Sequence, residues 1–229
     1  MKTIISEKNE ACQKAAERIA QLLAGKSDAC LAFSAVGLPD EFFDALNELY
    51  IAGKADFSKA RFFSAGEFVP GDKLGKKLWE KFLLKVKADK ENCFLLNEMN
   101  YGEYDEKIAS CGGLDMIIAG IGNNCEVSFN EPGTAFSSRT HIQSLSDSFR
   151  RQFSELFENP EEIPKKAMTL GIKTVTEAKE IMVMAFGEEK ADAVHKMLYA
   201  RNDAAVPAAF LQIPADVSVY VDPAAAGKL

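Results

Sequence analysis

Short apolar runs and amphipathic stretches alternate along most of the chain, which is typical of buried strands separated by helices. The first amphipathic stretch, residues 7–25, places Cys12, Ala16 and Ile19 on one face and stops at Gly25, so we predict a helix there. Apolar runs predict strands at residues 30–33, 61–64, 93–96, 114–119, 180–186 and 217–221. Helical patterns lie between most of these strands, at residues 40–51, 74–86, 101–111, 146–157 and 188–200.

The alternation of strands with helices predicts an α/β fold, in which right-handed βαβ units build a mostly parallel sheet covered by helices on both faces. At 229 residues the chain is long enough for one sizeable core, and we expect a single domain over residues 1–229. Ligands of such sheets bind beyond the carboxyl ends of the strands. The loops that directly follow strands are therefore the places to search for a site.

Composition narrows the class of protein. The chain is 47% hydrophobic and 27% charged, no apolar run reaches the roughly 18 residues of a membrane helix, and the first residues form no apolar signal-peptide core. The formal net charge of −7 argues against binding nucleic acid through its phosphates. The five scattered cysteines have neither zinc-site spacing nor the pattern of a disulfide framework, so we expect a cytoplasmic protein. From the hydropathy and the net charge, we expect neither a membrane nor a nucleic-acid partner.

Two loops after predicted strands carry candidate binding or catalytic residues. The first contains Ser34, Ala35 and Gly37, small residues that enter a helix and so present backbone N–H groups to a phosphate, although a plain strand-to-helix turn has the same pattern. The second contains Glu67, which is either a catalytic carboxylate or an exposed or helix-capping acid. Composition alone leaves both alternatives open for each loop.

The third loop, residues 120–132, gathers the most polar chemistry. Gly120 and Gly122 permit a tight turn, and the residues after them include Asn124, Glu126 and Glu131. Two carboxylates this close in sequence are able to act as acid and base when their environments separate their pKa values. Cys125, in the same loop, is either a nucleophile or a small apolar residue that fills space.

Several motifs in one order give the chain a specific resemblance to a known family. The sequence resembles the glucosamine-6-phosphate deaminase/isomerase family over nearly its whole length. The segments that carry the resemblance are residues 91–97, 104–108, 120–123, 129–132, 138–140, 164–171 and 210–212. The most specific of them is Phe129-Asn130-Glu131-Pro132, and it separates the chain from the related 6-phosphogluconolactonases, whose equivalent loop ends differently.

The resemblance implies a Rossmann-like α/β fold and a site for a phosphorylated hexose or amino sugar. Enzymes of the family open the sugar ring and move a proton between C1 and C2, and ammonia leaves when the substrate carries a 2-amino group. This chemistry uses a carboxylate base near C2 and a histidine for ring opening. It requires no metal and no organic cofactor, so we expect none here.

The family's catalytic groups match this sequence poorly when they are carried over residue by residue. Gly66 stands at the position of the proton-abstracting aspartate, Asn124 at that of a second aspartate, and Glu126 at that of the ring-opening histidine. Glu131 is retained. Among the phosphate-binding positions Lys190 is retained, whereas Glu155 stands in place of an arginine.

We therefore expect a divergent member of the family that lacks standard glucosamine-6-phosphate deaminase activity. One alternative is an active enzyme that uses Glu67, Glu126 and Glu131 on another sugar phosphate. A further alternative is a sugar-phosphate sensor or interaction protein without chemistry. The expected partner is a small-molecule sugar phosphate, and both a monomer and a homo-oligomer are open.

Overall fold

Seven parallel strands form the central sheet of the structure, a computed structural model that describes residues 1–214 and 216–229. In chain order they are β1 (Lys2–Ile5), β2 (Cys30–Phe33), β3 (Arg61–Ser64), β5 (Cys93–Phe94), β6 (Met116–Gly120), β9 (Glu180–Ala185) and β10 (Val217–Val221). The spatial order is β1-β10-β9-β6-β2-β3-β5, and every neighbouring pair is parallel. The prediction of an α/β fold with a mostly parallel sheet is confirmed.

Helices cover both faces of this sheet. The α-helices are α1 (Lys8–Gly25), α2 (Asp40–Ile51), α3 (Lys73–Leu78), α4 (Tyr104–Ser110), α5 (Asp147–Arg150), α6 (Ile172–Thr176) and α7 (Ala191–Tyr199). Side chains alternate along each strand, so Met116 and Ile118 of β6 pack under α1 and α2, while Ile117 and Ala119 belong to the core on the opposite face. None of the described helices is long and apolar enough to cross a membrane.

A second, antiparallel sheet was not predicted. It has the order β4-β8-β7 and consists of β4 (Gly66–Val69), β7 (His141–Ser144) and β8 (Lys166–Thr169). Residues 66–69, predicted to lie in a loop, are therefore a strand. The apolar-run signal missed this sheet because β4 follows β3 after one residue, and because β7 is half exposed with a polar majority. Strand β1 was missed for a similar reason, since it lies at a sheet edge and begins with a lysine.

Four predicted helices and one predicted strand are shorter or less regular than expected. The predicted helix at 74–86 is α3 followed by a π-helical turn over Trp79–Leu83, and 3-10 turns replace the first residues of the predicted helices at 101–111 and 188–200. Residues 146–157 continue from α5 as a 3-10 helix to Leu156. Strand β5 ends at Phe94 instead of residue 96, because the Leu96 N–H donates to the Ser64 hydroxyl and leaves the ladder.

Asp115 joins three segments of chain at the base of the sheet. Its buried carboxylate accepts hydrogen bonds from Lys26 Nζ (2.7 Å), Lys179 Nζ (2.8 Å) and the Cys30 N–H (2.8 Å). Burial by itself raises the pKa of this carboxyl, but the two lysines and the backbone donor outweigh it and hold the pKa below its ordinary value. Asp115 therefore favours the folded state in its ionised form.

Replacing Asp115 by Asn should lower the free energy of unfolding at pH 7 by about 2 kcal/mol, because charged hydrogen bonds to three donors are weakened. A lowered folded-state pKa adds stability above the unfolded value of about 3.9, and that stability is lost as the pH falls through the folded-state pKa. The difference between the native protein and Asp115→Asn should thus narrow below about pH 4. Urea unfolding between pH 3 and 7 measures this, with the exposed Asp44→Asn as the control. A difference independent of pH would contradict the assignment.

Candidate active site

A cavity of about 510 Å³ lies at the carboxyl ends of β2, β6 and β9. The chain leaves β2 toward β3 on one side, whereas β6 and β9 lie on the other side, so the cavity sits where the strand order reverses. In open parallel sheets this reversal opens a crevice between the loops, and ligands bind there. The position of the cavity makes it the candidate active site.

Glycines allow two of its loops to approach each other closely. Gly37 has a φ of 77°, a left-handed conformation that favours glycine, and a Cβ added to Gly120 would lie 2.9 Å from the Gly37 backbone. A Cβ added to Gly122 would lie 1.9 Å from Glu126 Oε2, so a side chain there would move the Glu126 carboxylate. All three glycines line the cavity, so the predicted third loop and first loop meet in one place.

The loop after β2 supplies backbone donors. Residues 35–39 all line the cavity, including the predicted Ala35 and Gly37, whereas Ser34 lies behind them with its hydroxyl 3.4 Å from the Val36 carbonyl oxygen. Within residues 1–214 and 216–229, the N–H groups of Val36, Gly37 and Leu38 have no hydrogen-bond acceptor. Because they precede the amino end of α2, they are placed to bind an anion.

The cavity is lined by equal numbers of basic and acidic side chains. Its lining contains three lysines and three glutamates, namely Lys8, Lys77, Lys190, Glu126, Glu155 and Glu189. Lys190 Nζ donates to the Asn123 side-chain oxygen at 2.6 Å, and burial lowers its pKa although Glu189 and Glu126 oppose that shift. Lys8 is paired with Glu41 at 2.7 Å, and Lys77 lies 3.9 Å from Asp40. Neither Lys8 nor Lys77 was predicted from sequence, because only the folded chain brings them here.

Glu126 is the buried carboxylate of the cavity. Its Oε2 accepts the Asn124 N–H at 2.9 Å, and its Oε1 has one longer contact, 3.4 Å from the Gln152 amide nitrogen. Asn124 contributes this backbone bond, while its side chain is exposed and lies outside the cavity lining. The carboxylate thus keeps one oxygen available to a hydrogen-bond donor from a ligand.

Glu131 is held in another environment. Ser146 donates both its N–H (2.8 Å) and its hydroxyl to this carboxylate, and the same hydroxyl caps the start of α5 by accepting the Phe149 N–H. Glu131 is buried but does not line the cavity. These hydrogen bonds connect the third loop, which carries Glu131, to the start of α5.

Glu67 and Gly66 also lie away from the cavity, on β4. The buried Glu67 carboxylate accepts the N–H groups of Phe68 (2.8 Å), Leu74 (3.2 Å) and Gly75 (2.7 Å), and burial raises its pKa although these donors oppose the shift. A Cβ added to Gly66 would lie 2.7 Å from the Phe129 ring. Of the three predicted glutamates, the structure therefore places only Glu126 in the cavity.

Cys125 and the two histidines contribute no reactive group to the cavity. Cys125 is buried with its pKa raised, chiefly by burial, which disfavours the nucleophilic thiolate. His141 contacts the Arg139 carbonyl and His195 the Lys228 carbonyl, and neither lines the cavity. Within the described part of the chain, no group of three or more His, Cys, Asp and Glu side chains is arranged to hold a metal ion.

Comparisons with known proteins agree on one family. The family model described as glucosamine-6-phosphate isomerases/6-phosphogluconolactonase matches residues 6–220. A glucosamine-6-phosphate deaminase of Clostridium botulinum (strain Hall) is 32% identical over 237 residues, which cover 99% of this chain and 97% of that protein. A deaminase of Clostridioides difficile is 33% identical over 228 residues, covering 95% and 92%.

Solved structures give the same result. A structure described as a monomeric glucosamine-6-phosphate deaminase of the NagB superfamily superimposes with a TM-score of 0.96, at 29% identity and over 100% of both chains. The 6-phosphogluconolactonase of Trypanosoma brucei superimposes with a TM-score of 0.78 at 16% identity, covering 100% of this chain and 98% of that one. The second match is a likeness of fold.

The two glutamates outside the cavity should behave as structural residues. Glu67→Gln should lower the free energy of unfolding by about 2 kcal/mol, because one amide oxygen cannot accept three fixed backbone N–H groups. Glu131→Gln should cost less than about 1 kcal/mol, because the Ser146 hydroxyl can rotate to accept the new N–H. Chemical denaturation measures both, with the exposed Glu158→Gln as the control. Equal costs for the two variants would contradict this difference.

Proposed function

Because the chain belongs to the glucosamine-6-phosphate isomerase/6-phosphogluconolactonase family, we propose that its cavity binds a hexose phosphate of amino-sugar metabolism without deaminating glucosamine 6-phosphate. The family model matches most of the chain. The two relatives named as glucosamine-6-phosphate deaminases match this chain over nearly their whole length. Phosphate binding and proton transfer depend on different residues. In this protein Lys190 and the loop after β2 line the cavity, whereas Glu67 and Glu131 lie outside it. The protein thus keeps the binding cavity and lacks the deamination reaction.

The observation that carries the proposal is the acid–base content of the cavity. Ring opening and proton transfer between C1 and C2 call for a positioned acid and a positioned base. Among the described residues that line the cavity there is no histidine, and Glu126 is the one buried carboxylate. The other glutamates from the predicted set, Glu67 and Glu131, are occupied by backbone and hydroxyl donors elsewhere.

The binding equipment is better preserved, although altered. Free N–H groups in the loop after β2 and the ammonium groups of Lys8, Lys77 and Lys190 suit a phosphate. Glu155 lies at the same cavity, where the family resemblance implies an arginine, and it weakens the field that attracts an anion. We therefore expect weaker binding of phosphate esters than in a deaminase that carries the arginine.

A second candidate function is isomerisation of a different sugar phosphate. A single carboxylate can take a proton from one carbon and return it to the next, and Glu126 has an oxygen with only one long contact inside the cavity. This candidate requires Glu126 to act alone.

The five free cysteines also support a reducing, cytoplasmic location for either function.

Purified protein should bind glucosamine 6-phosphate or a related hexose phosphate and release no ammonia from it. The ligand should raise the melting temperature in a saturable way, because it binds the folded state. Turnover should be lower than that of one of the relatives named as a deaminase by at least about 10⁴-fold, since the reaction calls for two acid–base groups and Glu126 is the one buried carboxylate of the cavity. A coupled ammonia assay and a thermal-shift titration with hexose phosphates measure the two quantities.

The matched control is Glu126→Gln, which keeps the size of the side chain and removes its ability to carry a proton. Ammonia release by the native protein that is lost in Glu126→Gln would overturn the absence of deamination. Exchange of the C2 proton of glucose 6-phosphate in D₂O, again lost in Glu126→Gln, would establish the second candidate. If no hexose phosphate shifts the melting temperature, the proposed binding function is wrong.

A further inference from the structure

Ser128 is a cavity residue with two unfavourable features. It lies between Val127 and Phe129 in the third loop, lines the cavity and is 5% exposed. Its φ is 54°, a left-handed backbone conformation that side chains with a Cβ rarely adopt. Its hydroxyl oxygen is buried and has no hydrogen-bond partner in the described part of the chain.

Glycine would remove both features. It adopts a positive φ without steric cost, and it has no hydroxyl that loses its hydrogen bonds with water on folding. Buried polar side chains in folded proteins almost always have a partner, so a hydroxyl at a cavity that has none within the chain is suited to bond a ligand there.

The surroundings of Ser128 indicate which part of a ligand it contacts. Glu126, two residues earlier, presents a carboxylate to the same cavity, and that charge repels a phosphate group. The loop after β2 and Lys190 carry the donors that suit the phosphate instead. A sugar hydroxyl or ammonium fits beside Ser128, because it can donate to Glu126 and bond to a serine hydroxyl that rotates about one bond.

We propose that Ser128 is a ligand-binding residue that, together with Glu126, recognises a hydroxyl or amino group on the sugar ring of the ligand. This inference rests on the proposed function, since it assumes that the cavity binds a sugar phosphate. It assigns the polar groups of the cavity to two parts of that ligand. Ser128 and Glu126 hydrogen-bond to the sugar ring, while the loop after β2 and Lys190 bind the phosphate.

The test compares Ser128→Gly with the native protein by calorimetric titration and thermal shift. The probes are glucosamine 6-phosphate, glucose 6-phosphate, fructose 6-phosphate and inorganic phosphate. Without ligand, Ser128→Gly should melt at a higher temperature, because a left-handed serine and a buried unpartnered hydroxyl are both removed. Its affinity for the sugar phosphate that the native protein binds most tightly should fall about ten-fold, the effect of one lost hydrogen bond. Its affinity for inorganic phosphate should not change.

Lys87→Gly is the matched control for the backbone effect. Lys87 also has a φ of 54°, but it is exposed and lies outside the cavity lining. This variant should likewise melt at a higher temperature and should bind every probe as the native protein does.

The outcomes separate the inference from the proposed function. Equal affinity of Ser128→Gly and the native protein for the sugar phosphate would overturn the inference and leave the proposed function standing. A parallel loss of inorganic phosphate binding would also overturn it, because it would indicate that the glycine disturbs the whole cavity. If the native protein binds no hexose phosphate, the proposed function fails and the inference fails with it.

Discussion

The contact between the backbones of Gly37 and Gly120 determines how the candidate site is built. Strands β2 and β6 are neighbours in the sheet. The chain continues from β2 to β3 on one side and from β6 to β9 on the other side, so the loops that follow β2 and β6 separate and open a crevice. Gly120 ends β6 without a side chain and lets the loop after β2 pack onto the strand end. The loop with the free N–H groups and the polar side chains of Glu126 and Ser128 then line one cavity. A side chain at Gly120 would push the two loops apart.

Three buried glutamates show how environment assigns different tasks to the same residue type. Glu67 and Glu131 satisfy donors from the backbone and from Ser146, and these bonds connect β4 to α3 and the third loop to α5. Glu126 lines the cavity and accepts only one short bond, and its second oxygen has a single long contact, 3.4 Å from the Gln152 amide nitrogen. A carboxylate that already accepts several N–H groups has little capacity left for substrate. The cavity consequently keeps recognition groups while it has few groups for moving protons.

Sequence reasoning succeeded where one residue or one run carries the physical signal. The central strands are buried on both faces and read as apolar runs such as 180–186, and the rule that ligands bind after the strands located the loops that meet at Gly37 and Gly120. It did not find the antiparallel sheet, whose strand β7 mixes His141 and Gln143 with apolar neighbours. It also could not distinguish Glu126 from Glu131, because five positions of spacing do not say which carboxylate turns to the cavity. Ser128 carried no signal, since its importance lies in a backbone angle and a missing partner.

The approach of Phe129 to Gly66 bears on how this protein relates to its enzymatic relatives. The Phe129 ring belongs to a buried aromatic cluster with Phe68, Phe149 and Phe153, and it occupies the volume into which any side chain at position 66 would grow. An aspartate at this position would have to displace a ring that several neighbours hold in place. Position 66 and the aromatic cluster are therefore coupled: a side chain of the kind that the family resemblance implies here could enter only together with a repacking of the phenylalanines.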